Sequence, residues 1–296
     1  MNVVNFGSLN IDYVYRLDEF IRPGETKPAK SREIFCGGKG LNQSIACARA
    51  GISTYHAGFI GAEGRFLKEK LAESGVNTAF VREVPAASGH AVIQVNDRGQ
   101  NCILLYPGTN ALLTEAFADE VLSHFSKGDV ALFQNETNLV AELMKKASRR
   151  GMRVAFNPAP FTEEVRRFPL ELVNWLFVNE IEGASLSGEK APEKIAARLR
   201  ALYPNTEIIL TLGAEGCLYA GVEGVFSEPA ADVVPVDTTA AGDTFTGYYL
   251  MAALNTKGTK RALQIASAAS GLAITRMGAA DSIPSVGQVR AILKNA

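Results

Sequence analysis

A series of short runs in this chain is apolar at consecutive rather than alternate positions, and helical spacing lies between them. Residues 3–9, 55–61, 129–133, 153–156, 175–178 and 207–212 are such runs. A strand with one wet face alternates; a strand covered on both faces does not. Residues 63–74, 115–125 and 139–150, and the series Ile195, Leu199 and Leu202, repeat apolar side chains at helical spacing. Gly75 and Gly151 stop two of these helices. Strand–helix alternation of this kind specifies an α/β fold with a doubly wound, mostly parallel sheet. In such sheets ligands collect beyond the C-terminal ends of the strands. Polar residues fall there repeatedly: Asp12, Glu136, Asn157, Asn179, Glu182, Thr211 and Asp243. Together they describe one cleft built from many loops.

With 296 residues, 47% of them hydrophobic, the chain can bury a sizeable core. A net charge of −1 argues against nucleic acid as the main partner. Cys36, Cys47, Cys102 and Cys217 are scattered, and His56, His90 and His124 cluster with nothing, so neither structural zinc nor a disulfide framework is expected. Lys145, Lys146, Arg149 and Arg150 read as a solvated helix face complementing the dipole. The first residues lack a basic region followed by a long apolar core, and no apolar run reaches the ~18 residues of a membrane span. A cytoplasmic enzyme is the expectation.

The stretch 237–247, Asp-Thr-Thr-Ala-Ala-Gly-Asp-Thr-Phe-Thr-Gly, has almost no apolar area to bury. The β-branched run 233–236 ahead of it reads as a strand end, and Phe245, Tyr248, Tyr249, Ala252 and Ala253 behind it follow helical spacing. The prediction is a strand, a tight turn, and a helix whose first turn is Ala241-Gly242-Asp243. Its N–H groups and dipole make an anion site, and Ala240, Ala241 and Gly242 leave room for close approach. Asp243 is then either a helix cap or a base for a hydroxyl attacking a phosphoryl group.

A second glycine cluster, Gly37-Gly38-Lys39-Gly40-Leu41-Asn42-Gln43, opens a helix with the stripe Leu41, Ile45, Ala48 and Ile52 and a stop at Gly51. Its spacing is not that of a Walker A loop. Lys39 and Asn42 add donors at the helix start, which suits a polyhydroxylated ligand. Asp12, among Ile11, Tyr13, Val14 and Tyr15, either caps a turn or accepts from such a ligand. Around it, 13–15, 33–36, 91–95 and 102–106 read as four short antiparallel strands in two insertions. They form a lid, a dimerisation surface or a peripheral pair of hairpins.

The early Gly-Gly-Lys-Gly-x-Asn, the late Asp-Thr-Thr-Ala-Ala-Gly-Asp-Thr-Phe and the order of elements between them resemble the ribokinase-like, PfkB-type carbohydrate kinases. Gly7-Ser8-x-Asn10-x-Asp12, Pro23-Gly24-Glu25-Thr26, Asn179-Glu-x-Glu182 and Thr211-Leu-Gly213-x-x-Gly216 agree as well, so the resemblance spans essentially the whole chain. It implies a single kinase domain over 1–296, with a small antiparallel lid sheet inserted at about 12–36 and 89–107. It implies ATP-dependent phosphorylation of D-ribose at the 5-hydroxyl. Kinases for another pentose, deoxyribose, a ketohexose or a nucleoside are alternatives, and a non-catalytic sugar- or nucleotide-binding regulator is a remote one.

The implied roles follow residue by residue. Asn10, Asp12, Gly38, Lys39, Gly40, Asn42 and Glu136 would bind the sugar. Asp243 would be the base, beside an anion hole at Ala240, Ala241 and Gly242. Asn179, Thr211, Gly213, Gly216, Gly242 and Ser267 would bind the nucleotide, Ser267 standing where these kinases often carry Asn near the adenine. Glu182 would order water around Mg²⁺. Asp237, Thr239, Ala273, Arg276, Gly278 and Ser282 would surround a monovalent cation, K⁺. The lid would pair with its twin in a homodimer.

Overall fold

The computed structural model describes residues 1–255 and 258–295. Its strands are β1 (Asn2–Phe6), β2 (Asn10–Arg16), β3 (Ser31–Gly37), β4 (Ser53–Ile60), β5 (Asn77–Glu83), β6 (Gly89–Val95), β7 (Asn101–Tyr106), β8 (Val130–Gln134), β9 (Arg153–Asn157), β10 (Trp175–Asn179), β11 (Glu207–Thr211), β12 (Cys217–Gly221) and β13 (Gly224–Glu228). Its helices are α1 (Lys39–Ala50), α2 (Arg65–Glu73), α3 (Glu115–Ser123), α4 (Val140–Arg149), α5 (Glu180–Ser187), α6 (Pro192–Leu202), α7 (Ala241–Asn255), α8 (Thr259–Ile274) and α9 (Val286–Asn295). Nine strands form one sheet in the order β13-β12-β11-β10-β9-β8-β1-β4-β5. It is parallel from β11 to β5 and closes with the antiparallel β12 and β13.

Successive side chains of the central strands feed opposite layers, as an unbroken apolar run requires. Val4, Phe6, Ala131, Phe133, Val154, Phe156, Leu176 and Val178 pack with Phe117, Leu143 and Leu199 of α3, α4 and α6. Val3, Leu132, Ala155, Phe177 and Ile209 pack with Tyr248, Tyr249 and Leu263 of α7 and α8. Each fully buried Leu, Val or Phe contributes about 1.5–3 kcal/mol, so both layers anchor the helices that carry polar residues at their ends.

Four features differ from the sequence expectation. The small sheet, in the order β3-β2-β6-β7, is mixed rather than antiparallel, because its two hairpins join through a parallel β2–β6 pair in which Asn10 stands beside Gly89. Both strands leave the body from the same side and run the same way. Residues 233–236 form no strand: Val234 and Val236 are exposed, Pro235 offers no N–H, and Val236 N–H bonds the Ile274 carbonyl at the end of α8. Strands β5, β12 and β13 carry no spacing that singles them out. Finally, residues 286–295 form α9, a helix beyond α8 that the spacing does not single out.

Candidate active site

Beyond Phe6 the chain passes against the first turn of α1. A Cβ on Gly40 would lie 2.5 Å from the Gly7 Cα, and Gly38 takes φ 97°, where a side chain is strained. Leu41 N–H reaches the Ser8 carbonyl at 2.9 Å and Gly40 N–H reaches Ser8 Oγ at 3.1 Å. The Ser8 hydroxyl donates to Glu136 Oε2, which also accepts from Lys39 N–H at 2.9 Å. Asp12 lies within β2 rather than in a loop, and a Cβ on Gly37 of the neighbouring strand would collide with its carboxylate. Burial pushes Asp12 up to about 7, and the Glu136 charge adds to the effect. Burial also raises Glu136, against the Lys39 ammonium and the hydrogen bonds from Ser8 and Lys39. Asn10 Oδ1 accepts from Asn110 Nδ2 at 2.7 Å, which ties the root of β2 to the body.

Asp243 occupies the first turn of α7 and is 7% exposed. Asn42 Nδ2 donates to its Oδ2 at 3.1 Å and Gln43 Nε2 to its Oδ1 at 2.9 Å. Asn42 Oδ1 is buried with no partner. Burial alone would lower Lys39, yet the carboxylates of Asp243, Glu136 and Glu182 outweigh it, and the ammonium is held above its usual value. Lys39 therefore stands among the charges of Asp243, Glu136 and Glu182, and it lines a cavity with Glu182 and Asp243. Ala240 takes φ 60°, and its carbonyl accepts Thr244 N–H at 2.9 Å. A Cβ on Gly242 would meet no protein atom within 4 Å, so this first turn faces open space.

Two cavities meet at that turn. One, of about 440 Å³, includes Lys39, Asn157, Asn179, Glu182 and Asp243 in its wall. The other, of about 550 Å³, is lined by Gly216, Ala231, Val233, Phe245, Ser267 and Ile274 among others. Thr211, Gly213, Thr238, Ala241 and Gly242 line both. Asn179 caps α5 in a capping box: Glu182 N–H donates to Asn179 Oδ1 at 2.9 Å, while Glu182 Oε2 accepts from Asn179 N–H at 3.0 Å. Burial raises Glu182. Gly213 and Gly216 take φ 54° and 97° in the turn after β11. Ser267 is buried beside the Cys217 thiol.

The remaining group lies behind the α7 turn. Asp237 Oδ1 accepts from Thr239 N–H at 2.9 Å and from its hydroxyl at 2.6 Å, and Oδ2 accepts from Gly278 N–H at 2.9 Å. Burial opposes ionisation of Asp237, but these bonds hold it below the usual carboxylate value. The Ala273 carbonyl accepts Arg276 N–H at 3.1 Å. Ser282 bonds Ala279 rather than Asp237. Among the described residues no cluster of three or more His, Cys, Asp and Glu side chains could hold a metal ion.

Ser8, Gln43 and Asn110 hold this site together and were not among the predicted site residues. Ser8 and Gln43 belong to the glycine motifs, which was a readable signal; Asn110 sits in a short helical turn and carried none.

The chain matches the model of the pfkB family carbohydrate kinases over residues 1–286. It is 32% identical over 305 residues to a ribokinase of Haemophilus influenzae, covering 98% of this chain and 97% of that protein. The crystal structure of a Cryptococcus neoformans ribokinase in complex with ADP superposes with a TM-score of 0.87 at 33% identity, covering 98% of this chain and 99% of that one. The structure of an Arabidopsis thaliana ribokinase complexed with ribose and ATP superposes with a TM-score of 0.88 at 27% identity, covering 99% and 98%.

Proposed function

The chain belongs to the pfkB family of carbohydrate kinases, and we propose that it transfers the γ-phosphoryl group of ATP to the 5-hydroxyl of D-ribose, giving ribose 5-phosphate and ADP. The observation that carries this reading is the place of Asp243, in the helix first turn where the two cavities meet, with Asn42 hydrogen-bonded to it and Lys39 between the charges of Asp243, Glu136 and Glu182. Asp12, Glu136, Asn42 and Asn10 would accept from or donate to ring hydroxyls, with Gly38 and Gly40 admitting the ring close to the backbone. Asp243 takes the proton of the 5-hydroxyl as its oxygen attacks the γ-phosphorus and the bond to the ADP oxygen breaks. The Gly242 N–H, with Ala240 shaping the turn, stabilises the charge that builds on the phosphoryl oxygens, joined by the Ala241 N–H once it leaves the Thr238 carbonyl, which it bonds at 3.2 Å. Lys39 neutralises the same group from the opposite side.

Asn179, Thr211, Gly213, Gly216 and Ser267 would border the nucleotide. Glu182 is the buried carboxylate of that wall, and its oxygens fit Mg²⁺ reached through water; the metal would neutralise the phosphates when bound. The ionised Asp237, with oxygens of Thr239, Ala273, Arg276, Gly278 and Ser282, is a donor set that suits K⁺. Equal rates in K⁺ and Na⁺ would dismiss that site. We treat 1–296 as one catalytic domain whose four-stranded sheet is the lid. Its exposed Ile34, Phe35, Ile103, Leu104, Leu105 and Tyr106 suit a twin lid in a homodimer, which sedimentation velocity would detect. No helix among the described residues is long and apolar enough to cross a membrane. A cytoplasmic location, where ATP is abundant, is the reading that cell fractionation would check.

The test of substrate is a panel of pentoses, deoxyribose, ketohexoses and nucleosides with ATP and Mg²⁺. The highest kcat/KM is expected for D-ribose. A higher value for any other acceptor would overturn the assignment, and no turnover with any of them would favour a binding protein.

A further inference from the structure

Behind Asp243 runs a chain of buried side-chain hydrogen bonds that the reaction just described does not use. Gln43 is fully buried on α1 and donates from Nε2 to Asp243 Oδ1 at 2.9 Å and to Asn157 Oδ1 at 3.4 Å. Its Oε1 accepts from Gln134 Nε2 at 2.7 Å, and Gln134 Nε2 also donates to Asn5 Oδ1 at 3.1 Å. Asn5 Nδ2 donates to the Gly40 carbonyl at 2.8 Å and to Ser44 Oγ at 2.9 Å. Ser44 pairs with His56 Nδ1 at 2.8 Å, and His56 Nε2 with the Gly7 carbonyl at 3.1 Å.

The polarity of this chain is set from its far end. A carbonyl oxygen only accepts, so His56 Nε2 carries the hydrogen. Burial holds the ring neutral, pushing it down to about 4, so Nδ1 is an acceptor. Ser44 must donate to it, which leaves the Ser44 oxygen to accept from Asn5. Asn5 is thereby turned with Oδ1 toward Gln134, and Gln134 must present Nε2 in both directions. Gln43 then offers its oxygen to Gln134 and its N–H to Asp243. Turning any one amide over would set two acceptors or two donors face to face. The cost is visible at Gln134 Oε1, which is buried with no partner.

We propose that Gln43 is a positioning residue, held by Gln134 and Asn5 and anchored through Ser44 and His56, that fixes the rotation of the Asp243 carboxylate for proton transfer. This rests on Asp243 being the base. Misplacing a catalytic group by about an ångström costs on the order of 100-fold in rate, and a carboxylate bonded only through Asn42 is free to turn.

The experiment compares Gln43→Met, Gln134→Met, the double variant and Asp243→Asn in the full chain, each first shown by circular dichroism to be folded. Gln43→Met is expected to lower kcat roughly 10- to 100-fold while the KM values for ribose and ATP stay within about twofold. Gln134→Met, which does not touch Asp243, should lower kcat by a smaller factor with the same unchanged KM. The double variant should be no slower than Gln43→Met, because both act through one carboxylate. In the Asp243→Asn background, Gln43→Met should leave the residual rate unchanged. If Gln43→Met does not fold, Gln134→Met decides by the same split between kcat and KM. Full kcat in folded Gln43→Met, a parallel loss in kcat and KM, or multiplying effects in the double variant would overturn the proposal while Asp243→Asn remains inactive. An active Asp243→Asn would remove the base assignment and this inference together.

Discussion

Burial acts on Asp12 and Lys39 in opposite senses, and their neighbours decide the result. Asp12 is desolvated beside the negative Glu136 and is pushed up to about 7. Lys39 is desolvated too, but three carboxylates keep its proton in place. The unfolded chain releases the Asp12 proton near 3.8 while the folded chain holds it to about 7. Between those values the native state binds more protons, so the Asp12 contribution to stability declines as pH rises through that window. In the proposed sugar site ionisation of Asp12 would serve the ligand, because a charged carboxylate is the stronger acceptor for a hydroxyl. The ribose Kd is therefore expected to fall by up to about tenfold per unit as pH rises toward 7, then to level off. Calorimetry from about pH 5.5 to about 8.5 measures it, and an unchanged slope in Asp12→Asn would contradict this role. Lys39, Asn42 and Asp243 stand in the first turns of helices, where their motifs placed them, whereas Asp12 lies within β2 rather than beyond a strand end. The bond from Gln43 to Asp243 was not legible, since it depends on how α1 and α7 cross.

At the scale of elements, the glycine-flanked helix starts were the easiest to read. The 37–43 and 237–247 stretches are rich in small residues, some forced by close packing as at Gly37 and Gly40 and some not, as at Gly242, and both begin helices as their composition indicates. The 233–236 run misled because β-branched residues mark a strand only where an unpaired edge is available, and Pro235 denies one of the bonds. The mixed small sheet was invisible for another reason: alternation reveals a face but not the direction of the neighbouring strand. The α7 start yields a separable prediction. A Cβ placed on Gly242 would have no protein atom within 4 Å, and alanine is the better helix former by about 0.5–1 kcal/mol. Gly242→Ala should therefore keep or slightly raise Tm while lowering kcat/KM for ATP by about 10-fold or more, as a methyl group obstructs the phosphoryl approach. Unimpaired kinetics in that variant would remove the anion hole from this turn.

At the scale of the molecule, two helical layers hold the parallel strands, and Asn157, Asn179 and Thr211 at the ends of β9, β10 and β11 share one cavity wall. That arrangement was legible from unbroken apolar runs such as 129–133 and 175–178 and the polar residues after them. What spacing could not supply is the interior amide chain from Gly7 to Asp243, because Asn5, Gln134 and His56 look in sequence like ordinary strand residues. The proposed phosphoryl transfer rests on two cavities that share the first turn of α7, with the Asp243 carboxylate in the wall of one of them. Phosphorus NMR of ATP turnover with D-ribose, run on the full chain and on Asp243→Asn, tests that claim directly. Ribose 5-phosphate and ADP are expected from the former, with a rate on the order of 10²–10⁴ lower in the latter while ribose still binds. Near-normal turnover in Asp243→Asn, or phosphate on a different hydroxyl, would contradict it.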